Sequence, residues 1–209
     1  MPAKYPGPAY RIVTPRLVIR CYEPKDAPLL KTAVDKNVEH LKTFLPWAAG
    51  HPQDLQNHLD LLRSFRGKFD LGQDYIYGVF TSDESRLLGG TGLHMRLGNN
   101  AREIGYWIDK DCTGQGFATE VSAVLTQVAF DIDMVDRVEI HCAIENLASA
   151  AVPRKLGYTH EATLRQRNQL LDGHYHDAMI WSILRAEYPD GLRMHVPYEA
   201  FDTMGRPLV

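Results

Sequence analysis

Gly114-Gln115-Gly116, running into Phe117-Ala118-Thr119-Glu120, is the stretch of this 209-residue chain whose residue types and spacing point most directly to chemistry. A strand-like segment ending at Trp107-Ile108 and a short polar link precede it. Glycine carries no Cβ, so the backbone there can approach a ligand closely. The first turn of the helix that follows offers N–H groups without intrahelical acceptors and the positive end of the helix dipole, a setting for a phosphate or pyrophosphate. A GxG also serves simply to shape a strand-to-helix turn. The two common nucleotide fingerprints are excluded. G-x-G-x-x-G/A finds Thr119 at its sixth position, and G-K-[ST] occurs nowhere in the chain.

Other reactive types are scattered. Glu103, on the strand before the loop, can accept a proton or be an ordinary hydrogen-bonded strand carboxylate. Asp177, in His-Tyr-His-Asp-Ala-Met, is second to it and suits a structural bond to a loop. Among nine histidines, His174 and His176 share a strand face, but no third ligand stands at motif spacing, and no metal is expected. Cys21, Cys112 and Cys142 form no CxxC pair and no disulfide framework, which fits a reducing compartment. Cys112 and Cys142 read as a loop thiol and a core thiol. No Ser–His–Asp or Cys–His arrangement stands out.

These residues need a scaffold. With 23 Lys+Arg against 26 Asp+Glu, a net charge of −3, and 44% apolar residues, the chain has the composition of a globular protein with a proper core. Disorder and low complexity are excluded, and the mild acidity argues against a nucleic-acid binder. Nothing approaches 18 consecutive apolar residues and the N-terminus lacks a signal-peptide run, so a cytoplasmic protein with no membrane partner is expected. Periodicity predicts a strand over residues 11–21 with Pro15 at an edge or bulge. Helices follow over 25–40 and 54–69, the second burying Leu55, Leu59, Leu62 and Phe65. A compact loop carrying Pro46 and Trp47 joins them. Three strands within residues 75–108 read as an antiparallel meander. A helix over 116–131 then buries Val121, Leu125, Val128 and Ala129 on one stripe. A strand at 137–142, a helix at 147–156 and strands at 159–171 and 175–184 complete the pattern. The expected fold is a single α/β (α+β) domain over residues 11–188, preceded by an arm at 1–10. Its mixed, mostly antiparallel sheet has about seven strands flanked by helices. Residues 189–209 form an extended tail that either wraps the domain or reaches a partner.

Taken in order, TPRLVIR (14–20), LPW (45–47), EIGYWI (103–108), GQGFATE (114–120), RVEIHCAIENLAS (137–149), KLGYTHEATLR (155–165) and GHYHDAMIWSIL (173–184) resemble the GNAT superfamily of acyl-CoA-dependent N-acetyltransferases. Within it they look most like the RimJ/RimL type, which acetylates protein N-terminal amines and, in some members, small amines and antibiotics. The resemblance implies acetyl transfer from acetyl-CoA to a primary amine by direct attack, with no metal and no covalent acyl-enzyme. It places the coenzyme pyrophosphate on Gly114, Gln115, Gly116, Phe117, Ala118 and Thr119. The pantetheine arm would lie along the main chain of Tyr106, Trp107 and Ile108, with Asn146 bonding its amides. The Ile108 amide would meet the carbonyl oxygen, and Ser149 the departing sulfur. Lys155 would approach the phosphates or stay solvated. Glu103, through water, and Ser149 are the implied catalytic groups. Trp47, Glu103 and His174 border the acceptor, which residues 44–53 and 170–174 frame, with Asp54 and Asp172 able to hold a cationic amine.

Three positions depart from the pattern. Thr113 replaces the usual basic or Gln residue before the first glycine. Pro153 stands where wider members carry a tyrosine acid, and Asn168 where RimL-like enzymes can carry a glutamate. These departures keep open a catalytically silent acyl-CoA-binding sensor or scaffold, and beyond it a purely structural use of the fold. A monomer or homodimer is expected, and the acceptor is a peptide N-terminus or a small-molecule amine.

Overall fold

The structure, a computed structural model, describes residues 7–169, 173, 175–188 and 190–209, the side chain of Asn168 excepted. Strands β1 (Arg11–Val13) and β2 (Leu17–Cys21) are followed by helices α1 (Ala27–Leu41) and α2 (Leu55–Asp70). The meander β3 (Tyr75–Thr81), β4 (Leu87–His94) and β5 (Ala101–Ile108) leads into α3 (Phe117–Asp131). Then come β6 (Arg137–Ala143), α4 (Leu147–Leu156), β7 (Thr159–Gln169), β8 (Tyr175–Leu184) and β9 (Glu199–Phe201). The strands form one nine-stranded sheet in the order β7-β8-β6-β5-β4-β3-β2-β1-β9. Every neighbouring pair is antiparallel except β5 with β6.

The two strands beyond the expected seven have local causes. The expected strand over 11–21 is a hairpin, with Ile12 opposite Ile19. Its turn is closed by Thr14, whose N–H donates to Leu17 O at 2.9 Å and whose hydroxyl accepts from Leu17 N–H at 3.0 Å. Pro15 sits inside that turn, where no ladder bond is asked of it. The tail wraps the domain: β9 pairs with β1, Ala200 opposite Ile12, and Leu192, Val196 and Leu208 are buried. Of the expected arm, residues 1–6 lie outside the described residues, while Ala9 is buried and Tyr10 N–H donates to Phe201 O.

Helices cover both faces of the sheet. Ala27, Leu30, Ala33 and Val34 of α1 and Leu62 of α2 pack on one face with Val18, Tyr22, Phe80 and Trp107. On α2, Leu62 is buried and Leu59 and Phe65 pack against the same core, as the expected stripe requires, but Leu55 is exposed and His58 is buried at the edge of that stripe. The other face carries α3 and α4. The expected single stripe on α3 is in fact a continuous buried run from Glu120 to Phe130. The tail explains it by covering the helix side turned away from the sheet. Gln127 clamps the tail backbone there, accepting from Val196 N–H at 2.8 Å and donating to Val196 O at 3.2 Å.

Gln127→Leu keeps the side-chain volume but strands both Val196 backbone groups, at a cost of about 1–3 kcal/mol. Chemical denaturation should report that loss, with faster proteolysis within residues 190–209. An unchanged midpoint and cleavage rate would show that apolar burial alone holds the tail.

Candidate active site

Parallel β5 and β6 pair only where Ala101, Arg102 and Glu103 face Arg137, Val138 and Glu139. Beyond that point β6 stays with β8 as far as Ala143, while β5 stays with β4 as far as Ile108, so the two open into a wedge. The direction of the backbone groups follows from the ladder. Asp109 N–H donates to Leu88 O at 2.7 Å, and Thr91 Oγ1 donates to Gly105 O at 2.8 Å, both toward β4. Trp107 O also faces β4, since a Cβ on Gly89 would lie 2.1 Å from it. Alternation along a strand therefore turns the N–H and C=O of Tyr106 and Ile108 into the wedge. An extended, amide-bearing chain fits that edge, paired to these two residues. The Trp107 main chain belongs to β4, and its indole packs among the α1/α2 core residues.

At the wide end of the wedge lies the glycine loop. Gly114 (φ 74°) and Gly116 (φ 82°) hold left-handed conformations, and Gly116 caps α3 with no side chain over the helix end. The first-turn amides of Phe117, Ala118 and Thr119 have no intrahelical acceptor and point outward, a fit for pyrophosphate. Gln115 Nε2 donates back to Asp111 O, and the Thr113 hydroxyl back to Lys110 O, so neither side chain faces a ligand. Lys110 N–H donates to Asn37 Oδ1 at 2.8 Å, and Lys36 pairs with Asp109 and Asp111, tying the loop to α1. Lys155 is exposed on the last turn of α4.

Arg16, which sequence reasoning passed over, braces this loop from the β1–β2 turn. Its Nε donates to Glu120 Oε2 at 2.6 Å, and its NH1 donates to Gln115 O at 3.2 Å. The guanidinium also lies 4.5 Å over the Phe117 ring. Glu120 is buried and takes a second bond from the Thr14 hydroxyl at 2.6 Å. The signal was in the Thr-Pro-Arg run and in Glu120, both within quoted segments, but nothing local joins residues 104 positions apart.

On the α3/α4 face, Asn146 caps α4, its Oδ1 accepting from Ser149 N–H at 3.0 Å. The Tyr106 phenol reaches across the wedge to Ser149, donating to its carbonyl at 3.1 Å and lying 3.0 Å from its Oγ. Burial pushes the phenol well above its ordinary pKa, against the smaller pull of the Ser149 hydroxyl, so Tyr106 stays protonated. Burial likewise raises the Cys142 thiol.

The opposite face carries the charges. Glu103 is buried and engaged on both oxygens by Arg96, at 2.6 Å each. His141 Nδ1 lies 3.6 Å from Glu103, while its Nε2 lies 2.6 Å from Glu139, which also pairs with Arg137. Opposite Glu103 in register, His94 bonds Asp74 at 3.0 Å, and this bond holds the Asp74 carboxyl below its ordinary range despite burial. Glu103 and Tyr106 project from opposite faces, about 10 Å apart along the strand. Glu103 and Ser149 thus stand on the two sides of the wedge. Trp47 is half exposed, its ring 6.4 Å from Trp107, and Phe44 lies 6.3 Å from His176, closing the rim over this face. His176 pairs with Glu145, and Asp177 accepts from Gln166 N–H at 2.8 Å. His174 and Asp172 lie outside the described residues, as does the Asn168 side chain.

The model of the acetyltransferase (GNAT) domain matches residues 16–159. The ribosomal-protein-serine acetyltransferase of Escherichia coli is 28% identical over 64% of this chain and 75% of its own. The [ribosomal protein uS5]-alanine N-acetyltransferase of Escherichia coli is 23% identical over 88% of this chain and 95% of its own. A solved structure of RimL, the ribosomal L7/L12 α-N-protein acetyltransferase, in complex with coenzyme A superposes with a TM-score of 0.73 at 26% identity, covering 82% of this chain and 96% of that one.

Gly116→Val forces a β-branched residue into a left-handed conformation, at about 1–2 kcal/mol, although only Arg16 comes within 4 Å of the added Cβ. Calorimetry should find coenzyme A binding lost or at least about tenfold weaker. Arg16→Ala should weaken it less and leave the fold intact. Wild-type affinity in both variants would remove the loop from the coenzyme site.

Proposed function

This chain belongs to the GNAT acetyltransferase family and moves an acetyl group from acetyl-CoA to an amine; we propose that the amine is the α-amine at the N-terminus of a polypeptide. The observation that carries this reading is the state of Glu103. Both of its oxygens are held by Arg96, so the carboxylate on the acceptor face is already engaged and meets the amine only through water. An acceptor that is already partly neutral suits such a site. At pH 7 an α-amine is roughly 10% unprotonated, whereas a lysine amine is about 0.04% so, a difference near 300-fold. The names of the ribosomal-protein relatives point the same way. A catalytically silent module is not favoured.

The residues divide the work by face. The amine approaches from the side of Trp47, Trp107 and Phe44 in its neutral form, the one that carries a lone pair. As the new C–N bond forms the nitrogen gains positive charge, and its surplus proton passes to water held by Glu103 and His141. The Ile108 N–H, aimed into the wedge, donates to the carbonyl oxygen as it gains charge. The C–S bond then breaks on the far side. Ser149, by rotating its O–H away from Tyr106, donates to the departing thiolate, and a proton from solvent completes the free thiol. Asn146 and the main chain of Tyr106 hold the pantetheine arm, and residues 114–119 hold the pyrophosphate. The three described cysteines are free and buried, and no described helix is long and apolar enough to cross a membrane. Both facts suit the cytoplasm, where we place the reaction.

Thiol release measured with matched peptides tests the acceptor. A free N-terminal Ser or Ala peptide should exceed the same peptide with a blocked terminus and one internal Lys by at least about 100-fold in kcat/KM at pH 7. Equal rates, or a preference for small amines, would overturn the reading. Glu103→Gln should lower kcat by roughly 100-fold with acetyl-CoA affinity unchanged. Full turnover in that variant would leave Glu103 only its pairing with Arg96.

A further inference from the structure

We propose that Asp35, His51 and His58 form a Zn2+ site that pins the loop between α1 and α2. The three side chains come from three separate pieces of chain: α1, the connection after the 3-10 turn Pro46–Gly50, and the first turn of α2. One ligand atom of each lies within 4.8 Å of the other two. Asp35 Oδ1, His51 Nδ1 and His58 Nε2 are all buried, and none has a hydrogen-bond partner. Three unsatisfied polar atoms turned toward one point cost free energy unless something fills that point.

The surrounding bonds prepare these atoms to be ligands. His58, fully buried, uses Nδ1 to bond the Asp54 carbonyl at 2.9 Å, so the proton sits on Nδ1 and Nε2 presents a lone pair. Asp35 spends its other oxygen on Lys31, which also donates to Gln53 O at 2.7 Å. That arrangement fixes the carboxylate and ties Lys31 to the same loop. His51 turns its buried, unbonded Nδ1 toward the same point. Two imidazoles and one carboxylate are a donor set that suits Zn2+. Tetrahedral bonds of about 2.0–2.1 Å place ligand atoms roughly 3.4 Å apart, so the trio needs to close by little more than an ångström. Water takes the fourth position. The rings of His51 and Trp47 meet edge to face at 5.7 Å, and Trp47 in turn faces Trp107. The ion would therefore set the loop that rims the acceptor side. Of the histidine pair weighed in the sequence, His176 is engaged by Glu145 and His174 lies outside the described residues.

The full-length chain, stripped with a chelator, should take up one equivalent of Zn2+ in a calorimetric titration. Co2+ in its place should show the visible bands of a four-coordinate site. His51→Ala and Asp35→Asn, both at half-buried positions and checked for folding by circular dichroism, should each weaken Zn2+ binding by at least about 100-fold. Chelation should lower the melting temperature of the wild type and speed proteolysis within residues 46–53, and should leave His51→Ala unaffected. Absence of stoichiometric uptake, or equal affinity in wild type and variants, would overturn the site. Uptake without any change in melting or proteolysis would overturn the pinning. None of these readings depends on which amine is acetylated.

Discussion

A parallel strand pair that stops pairing after three residues is the constraint on which this structure turns. Backbone N–H and C=O groups in a sheet interior are normally all bonded, and leaving them open is expensive. Here β5 and β6 part after Glu103 and Glu139, in the middle of a nine-stranded sheet, and Tyr106 and Ile108 face a gap. Side chains hold the fork open at both ends. At its apex two glutamates oppose each other across the last paired rung. Each is neutralised by its own arginine, Arg96 or Arg137, with His141 between them. At its mouth the Tyr106 phenol spans to Ser149 as a strut. The wedge is a built feature, and its vacant edge matches a ligand that is itself a chain of amides.

The fork also separates the two halves of the chemistry. Side chains alternate faces along β5, so a carboxylate three residues before the tyrosine lies on the other side of the sheet. An amine arriving over Trp47 and a thiol leaving past Ser149 then do not compete for space. That arrangement asks for rigidity on both faces. The wrapped tail buries the outer side of α3, and α1 is tied through Asn37 and Lys36 to the link ahead of the glycine loop.

Local patterns were readable and distant pairings were not. The bounds of α4 and the order of strands and helices followed from periodicity. Gly114 and Gly116 announced the αL turn that opens α3. The bend at Thr14 was hidden because Pro15 is compatible with an edge strand as well as a turn, and only the pairing of Ile12 with Ile19 decides. The tail was ambiguous because its apolar residues, Leu192, Val196, Ala200 and Leu208, stand singly and their partners are remote in sequence: Gln127 of α3 holds Val196, and β1 pairs with Ala200. Arg96 on Glu103 was missed although only seven residues separate them, since the connection between β4 and β5 had no readable geometry. Asp35, His51 and His58 were invisible for the same reason as Arg16 and Glu120. Their spacing fits no local motif, and only the packing of α1 against α2 brings them together.

Glu120 sharpens the physical argument for the glycine loop. A buried carboxylate in the first turn of a helix interacts well with the dipole but opposes an anion at the same end. Arg16 and Thr14 resolve the conflict by engaging both of its oxygens from outside the helix. The brace is electrically close to neutral, so a bound pyrophosphate is held chiefly by amides whose direction the αL glycines set. Charge at this site serves geometry first: Glu120 is anchored so that Arg16 can grip the Gln115 carbonyl and turn the loop's N–H groups outward. A loop that lacks a basic side chain at Thr113 can in this way still be an anion site, because its positive contribution comes from oriented backbone N–H groups and the helix end.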